Sequence, residues 1–308
     1  MTGYEALRTG AAWIDLSSRG KIRVTGEDRA RLLHAMSTND IKNLSAHEGV
    51  YAFFLTDKGR ILADACVYNL GESLLLDTEP ETGAKVRDHL ERFIIADDAF
   101  LEDETDQWAA IGVEGPASLE AAQKLAAPLP DKKYASLPWC DGFVVRVAST
   151  GPEGIRIFLP ISEKEAFTGE LEIPQATAAE ARLVRIENGV PRYGEDISER
   201  YLVQETQQEN AVHSNKGCYL GQEIVERVRS RGQVHRLLTP IRVATATAPP
   251  VGAKLSVDGK DVAEITSAVY SPSMGEVVGL AYVRTEAVHS RPEMILSGSE
   301  NPAAAYIR

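Results

Sequence analysis

The most distinctive segment of this chain reads Lys216–Gly217–Cys218–Tyr219–Leu220–Gly221–Gln222–Glu223. It brings a thiol, an ammonium group, an amide and a carboxylate together on a short length of chain. A thiol becomes a nucleophile or a metal ligand only as the thiolate, which nearby cations or a helix N-terminus favour. We therefore predict a functional thiol at Cys218. The alternative is that Cys218 is a small buried hydrophobic residue, as most lone cysteines are.

A helix is predicted to begin at the end of this segment, over residues 222–229. Ile224, Val225 and Val228 recur there at spacings of four and three, and Glu223 precedes Arg227 by one helical turn. Cys218 then lies just before a helix start. Gly217 and Gly221 allow backbone conformations that are closed to other residues, or the close approach of a ligand. Basic side chains follow closely, at Arg227, Arg229, Arg231 and Arg236.

The overall composition limits the classes of function that are open to this chain. Its 308 residues suit two or three domains, and 33 basic against 45 acidic residues give a net charge of −12. Such a balance opposes general nucleic-acid binding, which needs a basic surface. Residues 1–12 contain no long apolar run, so we expect neither a signal peptide nor a membrane span.

Cysteine usage indicates the compartment. Three widely spaced cysteines do not form a disulfide framework, which favours a reducing, cytoplasmic location. Cys66 and Cys140 lack the charged neighbours of Cys218, and both are expected to be packing residues.

A β-hairpin is predicted over residues 50–70, with its turn at Asp57–Lys58–Gly59. Strand periodicity places Asp64 on the same face as Cys66 and Tyr68. Aspartate is depleted in the middle of strands. Either this face is exposed to water, or Asp64 points into a functional site.

The order of predicted strands and helices over 21–100 recurs loosely over 108–173, which indicates an internal structural repeat. Helices are predicted at 81–95, with Phe93 on the inner side, and at 116–129 and 178–187. Beyond residue 233 short strands alternate with turns, a pattern typical of a small β-barrel or sandwich.

The Cys218 segment, with Arg231–Gly232 in its arginine-rich tail, resembles the signature of YgfZ-type folate-binding proteins. These are relatives of the glycine cleavage T-protein, a tetrahydrofolate-dependent aminomethyltransferase. Residues 15–26, 33–40, 266–272 and 279–283 are similar to further segments of the superfamily. The resemblance implies an α+β fold with two ferredoxin-like halves around a central folate pocket, roughly 1–105 and 106–237, and a small C-terminal β-barrel at 238–308.

The resemblance also implies particular site residues. Residues 59–67 resemble the strand in which aminomethyltransferases carry a catalytic aspartate, and Asp64 occupies that position. Residues 185–189 resemble the R-x-E-x-G segment whose glutamate holds the pterin ring, which implies this role for Glu187. From the residues alone, Asp64 could equally be a hairpin residue facing water, and the spacing around Glu187 favours a surface acid at a helix end.

A tetrahydrofolate ligand would need further contacts. Its anionic tail would favour cations. The residues expected to contact the cofactor, besides Glu187, are Tyr219, Arg192, Arg227 and Arg236.

Three functional classes follow. The first is a tetrahydrofolate-binding accessory protein that supports assembly or repair of iron–sulphur client enzymes through Cys218. A permanently bound cluster is not expected, because it needs about four thiolate ligands. The second is an enzyme, a tetrahydrofolate-dependent aminomethyltransferase or N-demethylating one-carbon transferase using Asp64. The third is a hydrolase in which His213 or His235 activates Cys218.

Overall fold

The protein is described by a computed structural model covering residues 1–232, 234–297 and 302–308. Two parts of the region singled out after the Cys218 segment lie outside this description, namely Gln233 and the side chain of Arg231. Of the helices in the described ranges, none has the length and apolar character that crossing a membrane requires.

The first half of the chain forms a five-stranded antiparallel sheet with the strand order β3-β4-β5-β2-β6. It follows an N-terminal helix, α1 (Gly3–Thr9), and a strand, β1 (Ala12–Asp15). Its elements are β2 (Gly20–Thr25), α2 (Arg29–Met36), β3 (Gly49–Leu55), β4 (Ile61–Asn69), β5 (Leu74–Thr78), α3 (Gly83–Glu91) and β6 (Phe100–Asp103).

The second half repeats this arrangement. Its sheet has the order β8-β9-β10-β7-β1, so β1 occupies the edge position that β6 occupies in the first sheet. The elements are β7 (Trp108–Glu114), α4 (Ser118–Lys124), β8 (Ser136–Trp139), β9 (Gly142–Val145), β10 (Gly154–Pro160) and α5 (Lys164–Gly169). The predicted structural repeat is therefore present at the level of topology.

Strand β4 is buried on both faces. Ala63 and Val67 pack with residues of α2 and α3 in one core, whereas Cys66 and Tyr68 pack against Phe158 of the second sheet. The two sheets thus face one another through this side of β4. The alternative of a water-exposed hairpin face is wrong.

The central connection and the barrel complete the fold. Helix α6 (Ala178–Glu187) begins at a capping box in which Thr177 and Glu180 exchange hydrogen bonds. After two short 3₁₀ turns comes α7 (Gln222–Arg231). Six strands close the barrel: β11 (Arg236–Val243), β12 (Lys254–Val257), β13 (Lys260–Ser271), β14 (Glu276–Arg284), β15 (Met294–Leu296) and β16 (Ala304–Ile307). Helix α8 (Thr285–Ser290) connects β14 to β15. The predicted fold, two α/β halves followed by a barrel, is confirmed.

Two predicted helices are shorter than their apolar patterns suggested. Helix α3 ends at Glu91 rather than at residue 95, so Phe93 is 41% exposed instead of buried. Helix α4 spans Ser118–Lys124 rather than 116–129. In both cases the helical spacing of apolar residues continues beyond the end of the helix. Those residues do not pack as part of a helix in the folded protein, because tertiary contacts override the local pattern.

Candidate functional site

A cavity of about 500 Å³ lies between the two halves and α6. It contains the aromatic side chains of Tyr51 and Tyr134. Four carboxylates line it, those of Asp15, Asp64, Glu79 and Glu195. Six cations also line it, those of Arg19, Lys133, Arg156, Arg182, Arg185 and Arg192. The wall therefore carries more cations than carboxylates, in a chain whose overall charge is −12.

Among the carboxylates of the cavity, Asp64 has the most strongly shifted pKa. It is only 8% exposed, and the Tyr51 hydroxyl donates a hydrogen bond of 2.7 Å to its Oδ2. Burial, together with the negative charge of Glu79, raises the pKa of Asp64 to about 7, against the opposing effect of the Tyr51 hydrogen bond. A carboxyl group with this pKa can accept or donate a proton near neutral pH.

A buried ion network forms one wall of the cavity. Arg19 donates to Asp77 at 2.6 Å and also pairs with Glu79, and Arg156 pairs with Asp77 from the second sheet. Burial opposes ionisation of Asp77, but Arg156 and Arg19 outweigh it and hold the pKa of that carboxyl below its usual value. The network ties the two sheets together at the cavity.

Two arginine nitrogens at the cavity have no protein partner. Arg156 Nε and Arg185 Nε are buried, and no acceptor among the described residues lies within hydrogen-bonding reach of either. Both residues line the cavity. A buried N–H without an acceptor costs free energy, so this wall suits a ligand that carries oxygen or nitrogen acceptors.

Glu187 lies outside the cavity lining. Its carboxylate accepts hydrogen bonds from Tyr4 at 2.7 Å and Ser271 at 2.5 Å, and Arg8 Nε lies 3.2 Å away. These contacts join α1, α6 and barrel strand β13. Residues two apart on a helix face opposite sides, so Arg185 points to the cavity while Glu187 points to the barrel.

The cations expected to hold a folate tail are dispersed. Arg192 lines the cavity but is engaged by Glu79 and Glu81, both at 2.8 Å. Arg227 is exposed on α7. Arg236 lies at the barrel, where it pairs with Glu205 at 2.8 Å and stacks over the rings of Tyr201 and Tyr282. Of the three, only Arg192 reaches the cavity.

The Cys218 loop is anchored by Lys216. This side chain is 8% exposed, and its Nζ donates to the carbonyl oxygens of His34, Ser37 and Asn39 at 2.5, 2.6 and 2.7 Å. The acceptors lie at the C-terminal end of α2, where a cation is favourable. Burial lowers the pKa of Lys216 to about 7, while Asp40 acts in the opposite direction. Three acceptors match the three donors of an ammonium group.

Other motif residues shape the turn into α7. Gly221 has φ +83°, and a Cβ atom there would lie 2.7 Å from the Thr56 carbonyl oxygen, so the hairpin tip and the loop need glycine at this position. Gln222 Oε1 accepts from the Tyr219 amide at 3.2 Å. Tyr219 itself is buried in an apolar core beside Val225, outside the cavity lining.

The structure gives weaker reasons for the residue types at positions 217 and 223, which are Gly217 and Glu223. Gly217 is not in the left-handed region, and the nearest side-chain atom to a Cβ there is His34 Nε2 at 4.0 Å. Glu223 is exposed, and in the part of the chain that the structure describes it makes no ion pair with Arg227, contrary to prediction. The helical pair that does form joins Arg229 and Glu226 at 3.1 Å.

The three cysteines occupy different environments. Cys218 is exposed and does not line the cavity. Cys66 is buried at the cavity wall, and burial raises the pKa of its thiol to about 11. Cys140 was expected to be buried but is exposed, because it occupies the β8–β9 turn with φ +48°.

Side chains of the metal-binding type are not clustered. Within the described ranges, no three His, Cys, Asp or Glu residues are arranged to hold a metal ion. The same ranges contain no hydrogen bond from Cys218 to His213 or His235. The arrangement needed for a cysteine hydrolase is therefore not formed among these residues.

Sequence reasoning did not identify most of the cavity wall. Tyr51, Glu79, Tyr134 and Glu195 come from four separate parts of the chain, and no local spacing links them. One local signal could have marked Glu195. It lies six residues beyond the segment 185–189 and follows Tyr193–Gly194.

Comparison with known proteins gives matches over most of the chain. Residues 2–216 match the GCVT N-terminal domain, and residues 236–303 match the glycine cleavage T-protein C-terminal barrel domain. An aminomethyltransferase of Rubrobacter xylanophilus is 29% identical over 299 residues, covering 92% of this chain and 78% of that protein. One of Herpetosiphon aurantiacus is 25% identical over 319 residues, covering 99% and 87%.

Among solved structures, glycine cleavage system aminomethyltransferase T from Bartonella henselae superimposes with a TM-score of 0.88. The match covers 99% of this chain and 87% of that one, at 20% sequence identity. At this identity the likeness establishes a common fold.

Proposed function

Because this chain belongs to the GCVT N-terminal domain family, we propose that it binds tetrahydrofolate in the cavity around Asp64. We further propose that it is of the YgfZ type, an accessory protein that supports assembly or repair of iron–sulphur enzymes through Cys218, in the reducing cytosol. Aminomethyltransferases of this family use tetrahydrofolate.

The cavity residues fit such a ligand. A volume of about 500 Å³ lies within the ordinary range for small-molecule sites. Tyr51 and Tyr134 offer flat surfaces for aromatic rings, and Asp64 is an acceptor for pterin N–H groups. The buried Nε atoms of Arg156 and Arg185 are donors for the ligand's oxygen and nitrogen acceptors. When bound, tetrahydrofolate supplies nitrogen atoms that carry one-carbon units.

The observation that carries the accessory function is the separation of the thiol from the cavity. Cys218 is exposed on a loop that Lys216 fixes to α2, whereas the cavity lies between the two sheets and α6 and Cys218 is not among its lining residues. An exposed thiolate can approach an iron–sulphur centre in another protein. A thiol turned toward the cavity could act only on the small ligand.

A specific observation also favours a second candidate, one-carbon transfer from an aminomethyl or N-methyl donor. The buried Asp64 has a pKa of about 7. As a carboxylate it stabilises positive charge on a neighbouring nitrogen, and as a carboxylic acid it returns a proton to a leaving amine.

The first experiment measures anaerobic calorimetric binding of tetrahydrofolate to the intact protein and to Asp64→Asn and Cys218→Ala. We expect binding that Cys218→Ala retains and Asp64→Asn weakens. Absence of binding by the intact protein would contradict both candidates.

The second experiment separates the two candidates. Cells that lack the protein are complemented with Cys218→Ser or with Cys140→Ser, an exposed cysteine elsewhere, and recovery of an oxygen-damaged iron–sulphur dehydratase is measured. The accessory function predicts failure of Cys218→Ser alone. One-carbon transfer predicts instead that 5,10-methylenetetrahydrofolate forms from a suitable donor and that Asp64→Asn slows it about 100-fold or more.

A further inference from the structure

We propose that Lys133 is a carboxylate-binding subsite at the rim of the cavity, and that it pairs with the acidic tail of the bound folate. The proposal rests on the proposed binding of tetrahydrofolate. It replaces the dispersed arginines Arg227 and Arg236 as the source of positive charge for that tail.

The ion pairs around the cavity single out Lys133. The five arginines that line it are all paired with carboxylates: Arg19 and Arg156 with Asp77, Arg182 and Arg185 with Glu195, and Arg192 with Glu79. Within the described ranges, no carboxylate oxygen lies within 4.0 Å of Lys133 Nζ, whose aromatic neighbour is the Tyr134 ring, 5.1 Å from Nζ to centroid. Lys133 therefore has charge available for a ligand.

The chain segment that directly follows Lys133 is fixed by hydrogen bonds. The next residue, Tyr134, has φ +67°, an uncommon conformation for a bulky side chain. Its amide donates to the Arg146 carbonyl at 2.8 Å, and its hydroxyl accepts from Asn210 Nδ2 at 3.2 Å. The Ser136 amide donates to the His47 carbonyl at 2.8 Å. The segment thus bridges the two halves, and sparsely populated backbone conformations concentrate at ligand sites.

The chemistry of the ligand decides which part Lys133 contacts. The pterin presents N–H and amine groups, which need acceptors, whereas the glutamate tail presents carboxylates, which need donors. A one-carbon donor that carries a carboxylate is the other possible source of the same chemistry. The experiment below distinguishes the two.

The chain provides a matched control in the neighbouring lysine. Lys132 is also exposed, but it pairs with Glu48 at 3.5 Å and does not line the cavity. Loss of its charge changes the net charge of the protein by the same amount as loss of Lys133.

The test measures dissociation constants of tetrahydrofolate and of 6-methyltetrahydropterin, which lacks the acidic tail, for the intact protein, Lys133→Met, Lys133→Arg and Lys132→Met. We expect Lys133→Met to weaken tetrahydrofolate binding about threefold to fivefold, the range of an exposed ion pair. Binding of 6-methyltetrahydropterin should not change. Lys133→Arg should retain affinity, Lys132→Met should match the intact protein, and the salt dependence of tetrahydrofolate binding should be smaller in Lys133→Met.

Three outcomes would overturn the subsite. Equal tetrahydrofolate affinity in Lys133→Met and the intact protein excludes a contact with the tail, and a higher KM for a carboxylated donor in that variant would then assign Lys133 to the donor. Equal weakening of both ligands would show a general structural effect. If the intact protein binds neither ligand, the proposed folate function fails first, which the intact protein alone reveals.

Discussion

The cavity around Asp64 and the loop around Cys218 differ in the groups that stabilise their buried charges. In the cavity, side chains neutralise one another across the two sheets, and Asp64 is left with a strongly raised pKa. In the loop, the one buried charge is Lys216, which backbone carbonyls satisfy, and the thiol two residues away is exposed. Burial shifts the pKa of one group to about 7 in each region, Asp64 in the cavity and Lys216 in the loop. The two regions differ in what surrounds that group: charged side chains of the two sheets in the cavity, and backbone carbonyls that fix the loop carrying the thiol.

The largest expected effect comes from removing the loop's anchor. Lys216→Met leaves three carbonyl oxygens without their donor, and each such loss costs about 1–3 kcal/mol, so we expect the free energy of unfolding to fall by roughly 3–5 kcal/mol. Urea denaturation measures this change. If the two regions are independent, the folded variant still binds tetrahydrofolate with unchanged affinity.

Lys42→Met is the control for this variant, because Lys42 is exposed near the same end of α2. It should leave the unfolding free energy within about 0.5 kcal/mol of the intact protein. A loss below about 1 kcal/mol in Lys216→Met would show that the loop is not anchored as described.

The next effect concerns the pH dependence of stability. The folded protein binds the Asp64 proton more tightly than the unfolded chain, because the pKa rises from 3.8 to about 7. Between these values the unfolding free energy of the intact protein therefore falls as pH rises. Asp64→Asn cannot ionise, so relative to the intact protein it should gain up to about 4 kcal/mol of stability between pH 4 and pH 8.

Asp15→Asn should change the unfolding free energy in the direction opposite to Asp64→Asn. Although burial opposes ionisation of Asp15, hydrogen bonds from Lys164 and Ser17 lower the pKa of this carboxyl overall. Its replacement should remove stability that is present above the unfolded pKa and lost as pH falls. Urea denaturation of the intact protein and both variants at about pH 3, 5 and 8 checks the pair. Asp64→Asn should gain stability relative to the intact protein between pH 5 and pH 8, whereas the deficit of Asp15→Asn should shrink only as pH falls below the unfolded pKa of 3.8. Equal pH profiles of the two variants would refute the electrostatic difference.

A smaller effect is expected at Glu187. Glu187→Ala removes the acceptor for Tyr4 and Ser271 between α1 and the barrel, at a cost of about 2–3 kcal/mol in unfolding free energy. From its position outside the cavity, we expect little change in tetrahydrofolate affinity. A tenfold or greater loss of affinity would instead support the predicted role of Glu187 in holding the pterin. Tyr4→Phe, which removes one of the same hydrogen bonds, is the matched control.

The smallest effect on stability is expected at Cys218. Cys218→Ser alters an exposed side chain, so the unfolding free energy should change by no more than about 0.5 kcal/mol. Thiol titration of the intact native protein should detect Cys140 and Cys218 rapidly and Cys66 only after unfolding, because burial raises the pKa of Cys66 to about 11. The variant should lose one rapid thiol, and a slow reaction of Cys218 would contradict its exposure.

Local pattern was sufficient where residues close in sequence set the structure. Periodicity and turn residues predict the hairpin that carries Asp64, the helix after Gly221 and the short strands of the C-terminal region. The pattern failed at the ends of α3 and α4, where apolar residues continue the helical spacing without helical packing. It also failed for Cys140, since composition does not show that a residue sits at the tip of a turn.

By itself, the sequence pattern indicated a repeated order of strands and helices and a strand-rich C-terminal region, with Asp64 in mid-strand and Cys218 before a helix; the resemblance implied two α/β halves and a barrel. The tertiary structure alone decided which of these side chains share a space. Asp64 meets Tyr51, Glu79 and Tyr134 because two sheets pack face to face, while Glu187 turns away from the cavity because it lies two residues from Arg185 on the same helix. Spacing along the chain fixes the face of an element on which a side chain lies, and packing between elements fixes what that face meets.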